Sequence, residues 1–474
     1  MLFNSLPYIL FLFVLCGLYY LSPRRFRWVL LLVASYAFYM CWNAFYIVLI
    51  LASTAIDYSV ALLLGRTESR TRRRFLLGAS LLTNLGLLFV FKYWNFFNDA
   101  AADLCAALTI PWSVPNLTVL LPVGISFYTF QTLSYTIDVY RGRIEPERHL
   151  GRFALYVSFF PQLVAGPIER AERLLPQLRE NHRVEAERFL SGGLLIMWGL
   201  FKKVVIADRL SVYVDAVYGN VPEHNGLTYL LATYAFAFQI YCDFSGYSDI
   251  AIGSARLLGI DLMTNFRSPY FARDLQDFWR RWHISLSTWL RDYLYIPLGG
   301  NRLGNLRTYA NLAVTMLLGG LWHGASWNFV VWGALHGSAL ALLKATGPHR
   351  ERFKEKLRIP PPIMVGAQLL ATFHFVCLTW IFFRAATVTE ALQVVAGIAS
   401  DWGSPFIEAL PLAHAAFGIV VMLCVEVSLA YGIRLPTRLR PVPIATNWIA
   451  FYALFFAIAL FGAEAGRQFI YFQF

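Results

Sequence analysis

Apolar residues in this chain come in long unbroken runs rather than in the short alternations of half-buried strands. Runs close to the roughly 20 residues that cross a bilayer as a helix occupy 3–22, 28–50, 50–65, 75–94 and 117–139. Others fall at 189–207, 227–243, 309–323, 327–344, 362–384, 411–433 and 446–463. The pattern predicts an all-α polytopic membrane protein. The first run has no basic region ahead of it and no small-residue cleavage site behind it, so it reads as a retained span. The central third differs. Segment 153–178 is apolar but broken by Pro161, Gly166 and Pro167, and segment 264–302 mixes aromatics with Arg, Asp and His. Such segments cannot face lipid, because their backbone and charges would go unsatisfied, so they are expected as re-entrant or interfacial pieces lining a polar interior. No repeat or appended soluble domain is visible. The chain reads as a single integral membrane domain, 1–474, with the core of its site within 120–345.

Composition agrees. Of 474 residues, 58% are hydrophobic and 14% charged, against a usual charged share of about 25% in soluble domains. The net charge of +12 invites a nucleic-acid reading, but its placement argues otherwise. Cations gather between the apolar runs, at 23–27, 66–74, 141–152, 349–358 and 434–440. That is the positive-inside pattern, which orients spans, and no nucleic-acid reading motif accompanies it. An even number of runs separates neighbouring clusters, which places them all on the cytoplasmic side. The six cysteines are scattered, without CxxC or Cys/His spacing, so neither a disulfide framework nor a metal site is expected.

Ionisable groups at membrane depth are functional suspects. His323 ends an almost uncharged run, LLGGLWHGASW, beside Trp322. Small residues there (Gly319, Gly320, Gly324) would let another group approach the imidazole, and a histidine can take a proton from a hydroxyl near neutral pH. An interior histidine bonded to a backbone carbonyl fits the same residues. His283 lies in FWRRWHISLSTWLRD with Arg280, Arg281 and Trp282. Arginines among aromatic rings suit the phosphates and adenine of a nucleotide-like donor; they equally suit an interfacial helix among lipid headgroups. His336 reads as structural. YCDFSGYSD at 241–249 places Asp243 and Asp249 around Gly246; a cation site is conceivable, a turn with self-capping carboxylates fits better. Gln131, Tyr135 and Asp138 lie in the 117–139 run and suggest a polar-lined passage.

The runs QDFWRRWHISLSTWLRDYLYIPLGGNR and LLGGLWHGASWNFVVWGALHG resemble the membrane-bound O-acyltransferase family, and within it a bacterial branch of alginate O-acetyltransferase type. LPVGISFYTFQTLSYTIDVYRG, FFPQLVAGPIER, FKKVVIADRL, YCDFSGYSDIAIG and FIYFQF fit the same branch, so the resemblance covers nearly the whole chain. It implies a ring of about 11–12 transmembrane helices around a polar tunnel with re-entrant or interfacial helices. It implies that His323 is the catalytic histidine and His283 a second one in the tunnel, with Arg280, Arg281, Trp282, Trp322, Asp243 and Tyr135 toward donor or substrate. It further implies acetyl-CoA as donor, a polysaccharide acceptor (alginate-like, cellulose or peptidoglycan), a periplasmic partner of the SGNH-hydrolase type and a place in a bacterial inner membrane. D-alanyl transfer to a cell-wall polymer is an alternative from the same family. A transporter or flippase for a polysaccharide precursor is an alternative from another class, though the matching halves it predicts are not seen.

Overall fold

A computed structural model describes residues 1–164, 166–357, 359–430, 444–463 and 467–470. All regular elements among these are helices. Five are long and apolar enough to cross a membrane: Ala44–Arg66, Arg70–Ala107, Ala186–Tyr218, Pro361–Arg384 and Ala409–Leu429. Shorter apolar helices are Leu6–Leu21, Val388–Ser400 and Thr446–Phe461. The basic cluster expected at 434–440 lies outside the described residues. Two compact units emerge, one formed by Met1–Gly192 with Ser254–Met263, the other by Gly193–Gly253 with Thr264–Phe474.

In the first unit, polar residues knot the helices Ile47–Arg66, Arg70–Leu88 and Ile125–Tyr140 together. The buried carboxylate of Asp57 accepts hydrogen bonds from Ser80 Oγ (2.5 Å), Asn84 Nδ2 (2.8 Å) and Thr136 Oγ1 (3.0 Å). Asn84 Oδ1 in turn accepts from Ser53 Oγ at 2.8 Å. Away from water every polar group needs such a partner, so the knot fixes which faces of the three helices meet. Ile125–Tyr140 starts later than the 117–139 run suggested. Pro122 and Gly124 break the chain there: Gly124 has φ 77°, and a Cβ on it would stand 2.6 Å from the Leu163 carbonyl oxygen. The apolar stretch 28–65 breaks at Cys41–Asn43 rather than near 50, where the Asn43 side chain caps the next turn through Phe45 N–H.

The break-prone segment 153–178 is broken as its Pro and Gly residues predict, into Leu150–Ser158, Phe160–Leu163 and Ala171–Arg179. Before the last of these, Glu169 turns inward and its Oε1 accepts from the Met263 N–H. In the second unit, 264–302 holds only short pieces, among them Leu275–Arg281 and Ile284–Leu290.

One expectation fails in that unit. YCDFSGYSD is not a turn; it runs through the continuous 32-residue helix Gly226–Leu257. Gly246 serves a helix crossing instead. A Cβ there would meet the Gly199 carbonyl oxygen at 2.7 Å, and one on Gly199 would meet the Gly246 oxygen at 2.5 Å. On the crossing helix a π-helical stretch, Phe201–Ala207, keeps both Lys202 and Lys203 buried. Lys203 Nζ pairs with Asp243 (2.5 Å) and Asp208 (2.8 Å), and Lys202 Nζ pairs with Asp249 (2.7 Å). The carboxylates of the YCDFSGYSD stretch thus neutralise buried lysines rather than cap a turn.

Candidate active site

Helix Asn305–His323 and helix Trp327–Ala345 form a tight hairpin in the second unit. Its closeness depends on glycine. A Cβ on Gly333 would stand 2.5 Å from the Met316 carbonyl oxygen, and one on Gly320 would collide with the Phe329 oxygen. Gly320 therefore admits the facing helix, while a Cβ on Gly319 would meet Leu290 Cδ1 at 3.1 Å.

His323 is the last residue of its helix and is 4% exposed. Three rings meet it edge-on: Trp322 at 5.0 Å, Trp332 at 5.2 Å and Phe383 at 5.3 Å between centroids. The fourth neighbour is His283, 6.4 Å away ring to ring, and Trp322 touches both histidines, lying 5.6 Å from His283. Two histidines forty positions apart in sequence are thereby joined in one aromatic cage.

His283 is fully buried, edge-on to Phe244 at 4.6 Å. Its burial lowers the imidazole pKa below the usual histidine range, so it stays neutral. Its backbone is left-handed, φ 40° and ψ 55°, at the entry to helix Ile284–Leu290. Asn265 brackets it. The Asn265 carbonyl oxygen accepts from Ile284 N–H (2.9 Å), Oδ1 accepts from Ser285 N–H (3.2 Å) and Ser285 Oγ (2.7 Å), and Nδ2 donates to Ser248 Oγ (3.2 Å). The segment is held mainly by hydrogen bonds, and Trp282 adds packing: 1% exposed, it lies 5.6 Å from Phe278 and 5.1 Å from Trp380.

The other sequence candidates fall differently. Arg281 donates to Asp277 one turn earlier (2.8 Å), and Arg280 points to the exposed surface of the helix Leu275–Arg281; neither pairs with a histidine. Asp243 accepts from Ile470 N–H at 2.6 Å besides its Lys203 pair, which commits its carboxylate. Tyr135 belongs to the first unit, where its hydroxyl accepts from Glu147 N–H at 2.9 Å and holds the following loop. His336, read as structural, is buried and within 3.0 Å of Thr379 Oγ1. Sequence reasoning missed Asn265, Phe244, Trp332 and Phe383. Only Asn265, an amide inside the polar-aromatic segment, carried a usable signal.

Comparison with known proteins fits this arrangement. Residues 147–383, which contain both histidines and Asn265, match the model for the membrane-bound O-acyltransferase family. The chain is 38% identical to a "Probable alginate O-acetylase AlgI" of Pseudomonas putida over the full length of both proteins. It is 41% identical to the one of Azotobacter vinelandii over 92% of this chain and 85% of that protein. It is also 37% identical to a "Peptidoglycan O-acetyltransferase" of Helicobacter pylori over 84% of this chain and 80% of that protein. The family match and these named O-acetylating relatives, together with five helices long and apolar enough to cross a bilayer, make the chain a multi-pass membrane O-acyltransferase, and it belongs to the membrane-bound O-acyltransferase family.

Proposed function

We propose that the protein moves an acetyl group from a cytoplasmic acetyl-CoA thioester toward hydroxyls of a polysaccharide outside a bacterial inner membrane. A periplasmic partner of the SGNH-hydrolase type completes the ester. The observation that carries the reading is the cage in which His323 and His283 lie 6.4 Å apart around Trp322. The named relatives, which are O-acetylating proteins of alginate and peptidoglycan, support the acetyl group and the polymer class. His323 acts as base: its imidazole takes the proton of the acceptor hydroxyl while that oxygen attacks the thioester carbonyl. The new C–O bond forms, the C–S bond breaks, and the imidazolium returns the proton to the leaving thiolate. His283, neutral and wedged by Phe244, orients the acyl carbonyl beside it. The donor's phosphates are expected near the cytoplasmic end of the polar-aromatic segment, with Arg280, Arg281 and Trp282 as candidate contacts.

His323→Ala should lower polymer-bound acetyl ester by on the order of 10²- to 10⁴-fold, the usual contribution of a positioned base, at unchanged protein abundance. Ester released by mild alkali from cells expressing either form at equal level measures this. Ester at the parental level in the alanine variant overturns the assignment.

A further inference from the structure

The first unit holds a cavity of about 360 Å³ at the end of helix Leu6–Leu21 that the acyl-transfer reading does not use. Arg24, Arg25, Arg27 and Arg152 line it together with Tyr19 and Trp28. The charges around it do not cancel. A fifth lining arginine, Arg179, is neutralised by Glu147 at 2.5 Å. Arg27 directs its donors to backbone carbonyls of His182 (2.6 Å), Ser22 and Tyr20 (3.3 Å each), which hold the guanidinium in place and leave its charge uncompensated. Arg24, Arg25 and Arg152 have no carboxylate partner among the described residues, and Arg152 Nε is buried without a hydrogen-bond acceptor. Against these four stands the lone lining carboxylate of Glu180, which is exposed. Holding like charges together around a cavity is unfavourable unless an anion joins them.

We propose that this cavity binds a phosphate group carried by an anionic phospholipid of the cytoplasmic leaflet. Guanidinium forks match phosphate oxygens bidentately. The position favours a lipid as the source. The three N-terminal arginines directly follow an apolar helix whose outer face is open, with Phe13 at 78% and Leu21 at 86% exposure, so acyl chains have a surface to lie on. Tyr19 and Trp28 are residues that settle where hydrocarbon meets headgroups. Basic clusters at the cytoplasmic end of a span draw anionic headgroups. The site is independent of the acyl-transfer reading and survives its failure.

The test uses the full-length protein purified in detergent and measures binding of phosphatidylglycerol and phosphatidylcholine by native mass spectrometry. The wild type is expected to prefer phosphatidylglycerol. The double variant Arg24→Gln/Arg152→Gln should lose that preference by on the order of tenfold or more, near fivefold for each arginine removed from a headgroup site. Arg70→Gln, an exposed cation at another helix start, should leave it unchanged. A folded double variant that keeps the wild-type preference overturns the proposal. So does arginine-dependent binding of inorganic phosphate or 3′-phosphoadenosine 5′-phosphate without phosphatidylglycerol preference, which makes the cavity a solute site. If the double variant does not fold, Arg25→Gln, whose side chain is exposed, carries the same test with a fivefold expectation.

Discussion

No hydrogen bond joins Asn265 to either histidine ring, yet it holds the backbone beside one of them. Its carbonyl and side chain receive Ile284 N–H, Ser285 N–H and the Ser285 hydroxyl, the three groups that follow His283. Asn265→Ala would leave Ser285 N–H unsatisfied in a buried setting, at about 1–3 kcal/mol, and free the entry to helix Ile284–Leu290. Turnover is expected to fall about tenfold or more, since small displacements in a reacting constellation are costly. Asn265→Asp, which keeps the accepting oxygen, should retain most of it. Turnover and melting temperature measured side by side decide the point: an alanine variant that melts and transfers like the wild type removes Asn265 from the site. The histidines themselves were legible in sequence, because an ionisable group in a long uncharged run has few other reasons to be there. Asn265 was not, because its effect passes through backbone groups twenty positions away. Nor was the partner of Arg281 legible: its neighbours in sequence are aromatic, and the structure pairs it with Asp277 one turn earlier.

At the scale of elements, apolar runs gave helix existence well and helix ends poorly. Hydrophobicity alone does not register a cap such as Asn43 or a left-handed glycine such as Gly124, and these set the boundaries. Nor does it register a partner on another helix. Asp243, Gly246 and Asp249 look like a turn in sequence, while the structure spends them on Lys203, Gly199 and Lys202 within one long helix. The broken segment 153–178 was legible, since Pro161 and Pro167 lack the backbone N–H that a helix interior uses. What its loop does was not. Glu169 there is buried, and burial pushes its carboxyl from the ordinary 4.5 up to about 7, against the opposing pull of Met263 N–H, Arg173 and Arg170. The folded state therefore holds this proton more tightly than the unfolded chain. The stability it brings is full below about pH 4.5 and fades as pH rises through 7. Melting temperature of the wild type should drop across that interval, and Glu169→Gln, which cannot ionise, should flatten this component. Parallel profiles for the two proteins would show that Glu169 does not titrate there.

Whole-molecule orientation rests on parity. In sequence, two apolar runs separate the basic cluster at 23–27 from that at 66–74, and two more separate it from the one at 141–152. On the positive-inside expectation the clusters share the cytoplasmic side. Single cysteines at Ser69, Glu145, Lys354 or Thr437 in a cysteine-free background should all escape a membrane-impermeant thiol reagent applied to intact cells. Labelling of any one from outside reverses the orientation and, with it, the direction of acyl travel. Thr437 lies outside the described residues, and the other three stand at or near helix ends.

The left-handed backbone at His283 has a consequence for anyone who wishes to improve this protein. A side chain at φ 40° costs the fold roughly 1–2 kcal/mol that glycine would avoid. Glycine at 283 would relieve that strain, but it would also remove a fully buried ring and leave a cavity beside Phe244 and Trp322, so it brings no gain in heat tolerance. At this one position the backbone and the packing ask for opposite residues: the turn favours no side chain, the cage a large one.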